Sequence, residues 1–403
     1  MHVVMFGDQH VESLGGAQVS MRLQRRFLER AGHTVTIVAP KMHGRRSGFA
    51  PDSAFVDTPS VPITPDREYS LSWPGGRTDR FVDAALTARP PVDVVHVQAD
   101  FWGALAGHRF AARHGLPVVH TMHNRVDVGI EATAPFPRLV LRVLNAWQRR
   151  ALRGAGRAAE APGRDGWSYL RRFAGLSSAV TAPSSHFAHR LHEHGVVAAD
   201  GSPVIDVWNG IDDDVLDAAL AAGPSARAPG RPRLVWLGRM SPEKRLLPFL
   251  EALGEAGIDA DVEIIGGGAQ EKAARRLAEK LGLDRTVVFA GRLPYTQTLG
   301  RIAAADAVVQ TSIGFETQGM TVFEAASLGT PAVVSDPDIG AELGSGFWQV
   351  ADGSVAALAG TLRLAASDIV NGTAPVPDPS IRERFRQSSR TAAMVGVYDR
   401  VRG

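Results

Sequence analysis

Two glutamates, Glu316 and Glu324, bracket a short glycine-containing loop in the stretch Phe315–Glu324, which reads F-E-T-Q-G-M-T-V-F-E. The spacing puts Glu316 on the loop and Glu324 roughly one turn inside the apolar helical pattern that follows, on a nearby face. Thr317 and Gln318 lie on the approach. The backbone N–H groups of Gly319, Met320 and Thr321 would open the helix, and a helix N-terminus attracts phosphate. A carboxylate beside an anion socket can hold sugar hydroxyls and a diphosphate together. Taken alone, E-x7-E occurs often by chance, and the two residues then read as solvated groups on an ordinary connection between a strand and a helix.

Other reactive types recur where short apolar runs end. Leu237–Lys244 reads L-G-R-M-S-P-E-K, which places Gly238, Arg239 and Lys244 just past a strand. Two fixed cations can neutralise a diphosphate leaving group as its charge grows, Arg through a planar fork and Lys as a compact charge. Ser13–Gln18, S-L-G-G-A-Q, offers Gly15 and Gly16 for close backbone approach to a phosphate or sugar at a helix start. His120-Thr-Met-His-Asn124 places His123 and Asn124 at another strand end, with His120 expected in the core. His96 and Gln98 end the run D-V-V-H-V-Q and are candidates for an acceptor side. Ile265–Gly268, I-G-G-G, lacks the full G-x-G-x-x-G pattern and an acidic partner about twenty residues on, so Gly266 points to tight packing near a donor and not to a dinucleotide site. Asp212–Asp214 has the look of a D-x-D metal motif but is expected to be the acidic first turn of a helix.

The elements that must position these residues follow an alternating pattern. Strands are predicted at His2–Phe6, Thr34–Val38, Val92–Val97, Pro117–Thr121, Ala179–Ala182 and Val204–Val207, with helices at Val19–Ala31 and Leu105–Arg113. A Gly/Pro/Ala-rich linker, Ala221–Pro232, precedes a second series: Leu234–Leu237, Val262–Ile265, Val287–Ala290, Ala307–Gln310 and Ala332–Ser335, each followed by a helical pattern. Two consecutive α/β doubly wound units are expected, with ligands beyond the carboxyl ends of the strands.

The bulk properties are those of a globular chain: 403 residues, 44% hydrophobic and 21% charged. A formal net charge of +2 gives no global polyanion-binding character, and no nucleic-acid partner is expected. There is no cysteine, which excludes disulfides and thiolate metal sites. The first strand begins at once and no long apolar run occurs, so a cytoplasmic location is expected, peripheral on the inner face of the cell membrane if the following segment binds lipid. Between Arg138 and Arg172 stand nine arginines against Glu160 and Asp165. There Leu139, Val140, Val143, Leu144 and Trp147 form a helical apolar stripe flanked by Arg138, Arg142, Arg149, Arg150 and Arg153. Such a stretch either lies on an anionic membrane surface or packs on its domain with solvated arginines. Gly154–Gly166 is expected to be a mobile loop.

The segment E-T-Q-G-M-T-x-x-E-A-x-x-x-G-x-P, with G-R-x-x-x-x-K at Gly238–Lys244, G-G-x-Q, T-x-H at Thr121–His123 and N-G-I-D at Asn209–Asp212, resembles the retaining GT-B glycosyltransferases of family 4 over nearly the whole chain. The E-T-Q-G variant is similar to the branch of diacylglycerol glucosyltransferases and phosphatidylinositol mannosyltransferases. The resemblance implies two Rossmann-like domains facing across a cleft: 1–206, acceptor-binding, and 207–380, donor-binding, with the final helix, 381–403, crossing back to the first. It implies a nucleotide-diphosphate sugar donor, UDP-glucose first, then GDP-mannose or UDP-N-acetylglucosamine, and a lipid acceptor such as diacylglycerol or else a soluble sugar or secondary metabolite. It further implies that Arg239 and Lys244 hold the diphosphate, Glu324 the ribose, Glu316 the sugar hydroxyls, His123 the reacting sugar and Gly16 the phosphates. The main chain at Arg292 and Leu293 would meet the nucleobase. Transfer would be front-face and retaining, with no metal and no cofactor. Gln98, where relatives often carry histidine, and the Arg/Ala/Gly insert depart from the lipid branch on the acceptor side.

Two other classes fit parts of the pattern. A sugar phosphorylase would carry a pyridoxal phosphate lysine, but Lys272 and Lys280 sit in a charged helical pattern away from strand ends. A non-catalytic nucleotide-sugar-binding protein could dispense with Arg239, Lys244 or either glutamate, yet all four are present.

Overall fold

The computed structural model describes residues 1–13, 16–43, 52–65, 67–222 and 230–403. Gly15 and most of the expected linker lie outside them. The chain divides into two compact units, Met1–Asn209 with Arg390–Gly403, and Gly210–Ser389.

In the first unit, β1 (His2–Gly7), β2 (Thr34–Pro40), β3 (Phe55–Thr58), β6 (Val94–Gln98), β7 (Val118–Thr121), β8 (Ala179–Ala182) and β9 (Ile205–Asp206) form one parallel sheet in the order β3-β2-β1-β6-β7-β8-β9. A two-residue antiparallel pair, β4 (Val61–Pro62) with β5 (Ser70–Leu71), stands apart. All six residues of β1 and all five of β6 are buried, His2, His96 and Gln98 included, as expected of a sheet covered on both faces. The strand order reverses between β1 and β6, so the loops after these two strands diverge and leave room beyond their carboxyl ends.

The second unit repeats the plan. Its strands β10 (Arg233–Arg239), β11 (Asp261–Gly267), β12 (Val287–Gly291), β13 (Ala307–Gln310), β14 (Ala332–Val334) and β15 (Phe347–Gln349) are parallel in the order β12-β11-β10-β13-β14-β15, with the reversal between β10 and β13. Its core gathers Leu234, Trp236, Ile264, Val309 and Val333 from the strands with Phe249, Leu250, Leu253 and Leu362 from the helices.

Several expectations need adjustment. The edge strands β3 and β15 were not anticipated; each is short and is defined by pairing with a neighbour more than by its own pattern. The unit boundary falls at 209/210, and the segment returning to the first unit begins at Arg390 instead of 381. The expected last helix is two helices, Ser380–Phe385 and Gln387–Arg402. The shorter belongs to the second unit because Phe385 is fully buried against Phe323, with ring centroids 5.6 Å apart. Arg386 between them is extended, φ −58° and ψ 139°, so that Phe385 O and Gln387 N bond to Ile211 on either side, at 2.9 and 2.8 Å. From there Met394, Val397 and Tyr398 complete the core of Val3, Met5, Ile37 and Val207. The stretch 154–166 is not a loose loop: it contains the short helix Arg157–Glu160, buries Ala159 and is bonded through the Ala161 and Gly163 carbonyls to Arg172.

Candidate active site

β10 delivers its end to the second unit's site under tight steric control. Gly266 on β11 has φ +133°, and a Cβ there would lie 2.0 Å from the Gly238 carbonyl oxygen. Gly268, at φ +157°, would place a Cβ 2.6 Å from Met240 O. These glycines let β10 and β11 run side by side to their ends, so that Arg239 and the turn after it emerge at one place.

The turn is pinned from below. Trp236, buried on β10, donates its indole N–H to Thr311 Oγ1 at 2.9 Å, and Thr311 donates in turn to the Lys244 carbonyl at 2.6 Å. A core strand residue thus fixes the backbone that carries Lys244. The Lys244 ammonium is bonded to Glu316 Oε1, which also accepts from Ser312 Oγ at 2.9 Å. Arg239 is mostly exposed; it donates to Glu243 Oε1 at 2.8 Å and to Ser241 Oγ at 3.3 Å. Lys244 and Glu316 are therefore paired beyond β10 and β13, at the reversal of strand order, and Arg239 stands at the end of β10.

The loop carrying Glu316 is held by Gln310, which donates to Ser312 O at 2.8 Å and accepts from Ser335 N at 3.2 Å, and by Asp336, which accepts from Gly314 N at 2.7 Å. Gly319 then takes a left-handed conformation, φ 77°, and the helix Met320–Leu328 begins as the spacing implies, with Thr321 in its first turn. Thr317 lies on the loop, and the Gln318 side chain is buried. Glu324 is buried one turn in and accepts from Tyr295 Oη at 2.8 Å. Burial raises its pKa, and the tyrosine bond opposes that rise. Tyr295 opens the helix after the turn that holds Arg292 and Leu293, so the β12 end and Glu324 meet. Tyr295 and Ser312 were missed in the sequence; each lies within a few residues of a recognised motif, but neither has a spacing of its own.

In the first unit Gly16 is the first residue of the helix Gly16–Arg30. His123 lies two residues beyond β7, and its Nε2–H donates to Gln98 Oε1 at 3.3 Å. Gln98 is itself buried and donates from Nε2 to Gln24 Oε1. This amide orientation assigns the proton to Nε2 and leaves Nδ1 as the acceptor of a neutral ring. Burial pushes the His123 pKa down to about 4, so the ring is neutral near pH 7.

His96 and Gln98 do not form an acceptor surface. His96 is fully buried with both ring nitrogens engaged, Nδ1 with Tyr398 Oη at 2.7 Å and Nε2 with Thr121 Oγ1 at 2.7 Å. An apolar strand covered on both faces leaves no exposure for it, and Gln98 stands behind His123. His120 is the expected core histidine: Nε2–H donates to Ala99 O at 2.9 Å, and Nδ1 accepts from His108 at 3.1 Å. Asn124 is exposed but its amide is bonded to Asp100 Oδ2. Asp8, just past β1, accepts from the backbone N–H groups of Asp100 at 2.7 Å, Phe101 at 3.0 Å and Gly103 at 2.8 Å. Burial pushes Asp8 up to about 6; burial, with the Asp8 charge, pushes Asp100 up to about 7. This acid pair also escaped sequence reading, since its two members come from different strand ends.

Asp213 and Asp214 occupy the first turn of the helix Asp213–Ala222, and Asp213 accepts from Ser388 N at 3.1 Å, so this acidic run serves a helix terminus. Among the described residues no three histidine or acidic side chains converge as metal ligands, and no helix is long and apolar enough to cross a membrane.

Comparison with known proteins agrees with this geometry. Residues 14–215 match the model of Glycosyltransferase Family 4, and residues 222–368 that of Glycosyl transferases group 1. A 2-deoxystreptamine N-acetyl-D-glucosaminyltransferase of Streptomyces fradiae is 27% identical over 79% of this chain and 74% of its own. An alpha-monoglucosyldiacylglycerol synthase of Streptococcus pneumoniae is 23% identical over 83% of this chain and 70% of its own. Among solved structures, Anabaena HepE in complex with UDP superposes with a TM-score of 0.66 at 16% identity, covering 99% of this chain and all of that one. The fold is GT-B, and the chain is a nucleotide-sugar glycosyltransferase belonging to glycosyltransferase family 4.

Proposed function

We propose that the protein transfers a hexosyl unit from UDP-glucose, with retention, to a hydroxyl group of a lipid such as diacylglycerol. The observation that carries the transfer reading is the Lys244–Glu316 pair beyond the ends of β10 and β13. A diphosphate oxygen and a sugar hydroxyl can replace the two partners of that ion pair. Lys244 and Arg239 would then hold the diphosphate and Glu316 the sugar hydroxyls, with Glu324 on the ribose and the turn at Arg292 and Leu293 along the base. For Gly16 and His123 the proposed roles are a backbone contact to phosphate and an Nδ1 contact to a hydroxyl of the reacting sugar. The bond from C1 to the leaving phosphate breaks, the acceptor oxygen bonds to C1 on the same face, and its proton passes to the leaving phosphate oxygen. The two cations stabilise the charge that develops there, so the reaction is proposed to need no metal. The UDP bound in the Anabaena structure supports a uridine donor; GDP-mannose and UDP-N-acetylglucosamine are the competing donors.

A soluble aminocyclitol acceptor is the second reading, favoured by the relationship to the Streptomyces fradiae transferase. The donor is tested by thermal-shift titration with UDP, GDP and their sugars. Stabilisation by UDP and not GDP is the expected result; a GDP-selective shift overturns the donor assignment. Release of UDP on adding diacylglycerol, against 2-deoxystreptamine, then decides the acceptor.

A further inference from the structure

Gln98 ends β6 with its side chain buried, and its surroundings leave one orientation for its amide. Three acceptors stand on the Nε2 side: Gln24 Oε1 from the helix Gly16–Arg30, His96 Nδ1 at 3.5 Å and Met5 Sδ at 3.8 Å. Its Oε1 faces His123 Nε2 at 3.3 Å. Turning the amide over would set its oxygen against those acceptors and its NH₂ group against His123, and would leave buried polar groups unpaired. His96 is itself fixed from the last helix. Tyr398 is fully buried, and its phenol proton goes to His96 Nδ1 at 2.7 Å. His96 therefore carries its own proton on Nε2, where Thr121 Oγ1 accepts at 2.7 Å, and keeps a lone pair toward Gln98. One chain of proton assignments thus runs Tyr398, His96, Gln98, His123, all within the first unit.

We infer, on the reading of His123 as a contact of the reacting sugar, that Gln98 is a positioning residue for the transfer. Its oriented amide keeps the His123 proton on Nε2 and so presents Nδ1 to the sugar as an acceptor, and Tyr398 enforces that orientation through His96. The opposite tautomer would point an N–H at the same place and could not take a hydroxyl proton. An imidazolium would fail in the same way, since both of its nitrogens donate. An amide oxygen holds the Nε2 proton without a charge that would stabilise the protonated ring, as a carboxylate would. Geometry and protonation state are thus set by one side chain. His96 and His120 are the titratable groups whose charge would reach the ring, and burial pushes both down to about 3, so they stay neutral.

The test is nitrogen NMR of the full chain labelled in histidine, with no nucleotide present, followed by pH–rate profiles of UDP release from UDP-glucose. The His123 resonances, identified by their loss in His123→Ala, should report an Nε2–H tautomer in wild type at neutral pH. Gln98→Glu places a carboxylate where the amide oxygen stands, and should raise the pH at which the ring takes a second proton by about one pH unit or more. The acid limb of the rate profile should move up with it. Asp100, bonded to the neighbouring Asn124, titrates in wild type and variant alike, so the difference between them reports His123. Tyr398→Phe removes a partner of His96 and none of His123. It should convert His123 to a mixture of tautomers and lower turnover about threefold or more, with UDP affinity held within about twofold. An Nδ1–H ring in wild type, a His123 titration unmoved in Gln98→Glu, or a tautomer unmoved in Tyr398→Phe overturns the inference. If Gln98→Glu does not fold, the wild-type and Tyr398→Phe spectra decide. The spectra need no donor, so the expected tautomers together with wild-type turnover in His123→Ala would remove the sugar contact and leave the orientation by Gln98 standing.

Discussion

The Lys244 ammonium is bonded to the Glu316 carboxylate, and Ser312 donates to the same oxygen. Seventy-two residues separate the pair in the chain, and both ends are anchored from the sheet, Lys244 through Trp236 and Thr311 and Glu316 through Gln310 and Asp336. The sheet therefore holds the Lys244 cation and the Glu316 carboxylate in register with each other.

Lys244→Ala removes a leaving-group contact of the oxyanion type and should lower turnover by about a hundredfold or more. Initial rates of UDP release from UDP-glucose measure this. Lys244→Ala with wild-type turnover would sink the diphosphate assignment.

Tyr295→Phe deletes the hydroxyl donor to the buried Glu324 carboxylate. The cost in stability should be about 1–2 kcal/mol. The pKa of Glu324, already raised by burial, should rise further. The carboxylate is then protonated at a higher pH, so UDP affinity should fall earlier on acidification than in wild type. Calorimetric titrations of both proteins from neutral to mildly acidic pH check the sign; parallel profiles would separate Tyr295 from nucleotide binding.

Gly266→Ala forces a Cβ to within 2.0 Å of Gly238 O at a φ of +133°. It should destabilise by about 2–4 kcal/mol or more and impair UDP binding. Gly282, at φ +67° with open space around its Cβ position, is the matched control, and Gly282→Ala should cost about 1 kcal/mol. Chemical denaturation of the two variants distinguishes steric blockade from backbone strain alone.

The buried titratable groups of the first unit pull stability in opposite directions with pH. His96 and His120 are pushed down to about 3 and His123 to about 4, from an ordinary 6.5. The unfolded chain binds protons first, so their contribution is full above about 6.5 and is lost as pH falls through 4 to about 3. Asp100 is raised from 3.8 to about 7; its contribution is full below 3.8 and is lost as pH rises through 7. Asp100→Asn should therefore raise the melting temperature relative to wild type most above pH 7, with the gain shrinking toward pH 4. A gain that grows on the acid side would contradict a neutral buried Asp100.

The motif-bearing strand ends were legible because periodicity and motif coincide there: the run ending at Leu237 hands directly to G-R, and the E-T-Q-G loop hands to an apolar helix. Legibility failed where a role depends on a distant partner. His96 reads as a strand-end candidate like His123, and what removes it from the surface is Tyr398, 302 residues away. The 137–151 helix shows the same limit. Its stripe was visible, but which side faces the core is decided by Arg172, whose guanidinium needs Asn145 and Gln148. The edge strands β3 and β15 carry too few residues to declare themselves without a neighbour.

The first unit is built from the two ends of the chain, and Tyr398 reaches His96 only from the last helix. During synthesis Val3, Met5 and Ile37 leave the ribosome with Met394, Val397 and Tyr398 still unmade. Until they are made, that cluster has Met21 and Leu28 of the first helix on it but lacks its last-helix residues. The last helix is the final piece of that cluster to be made, and a nascent chain stalled before residue 390 should leave the part of the face it covers exposed to chaperones or neighbours.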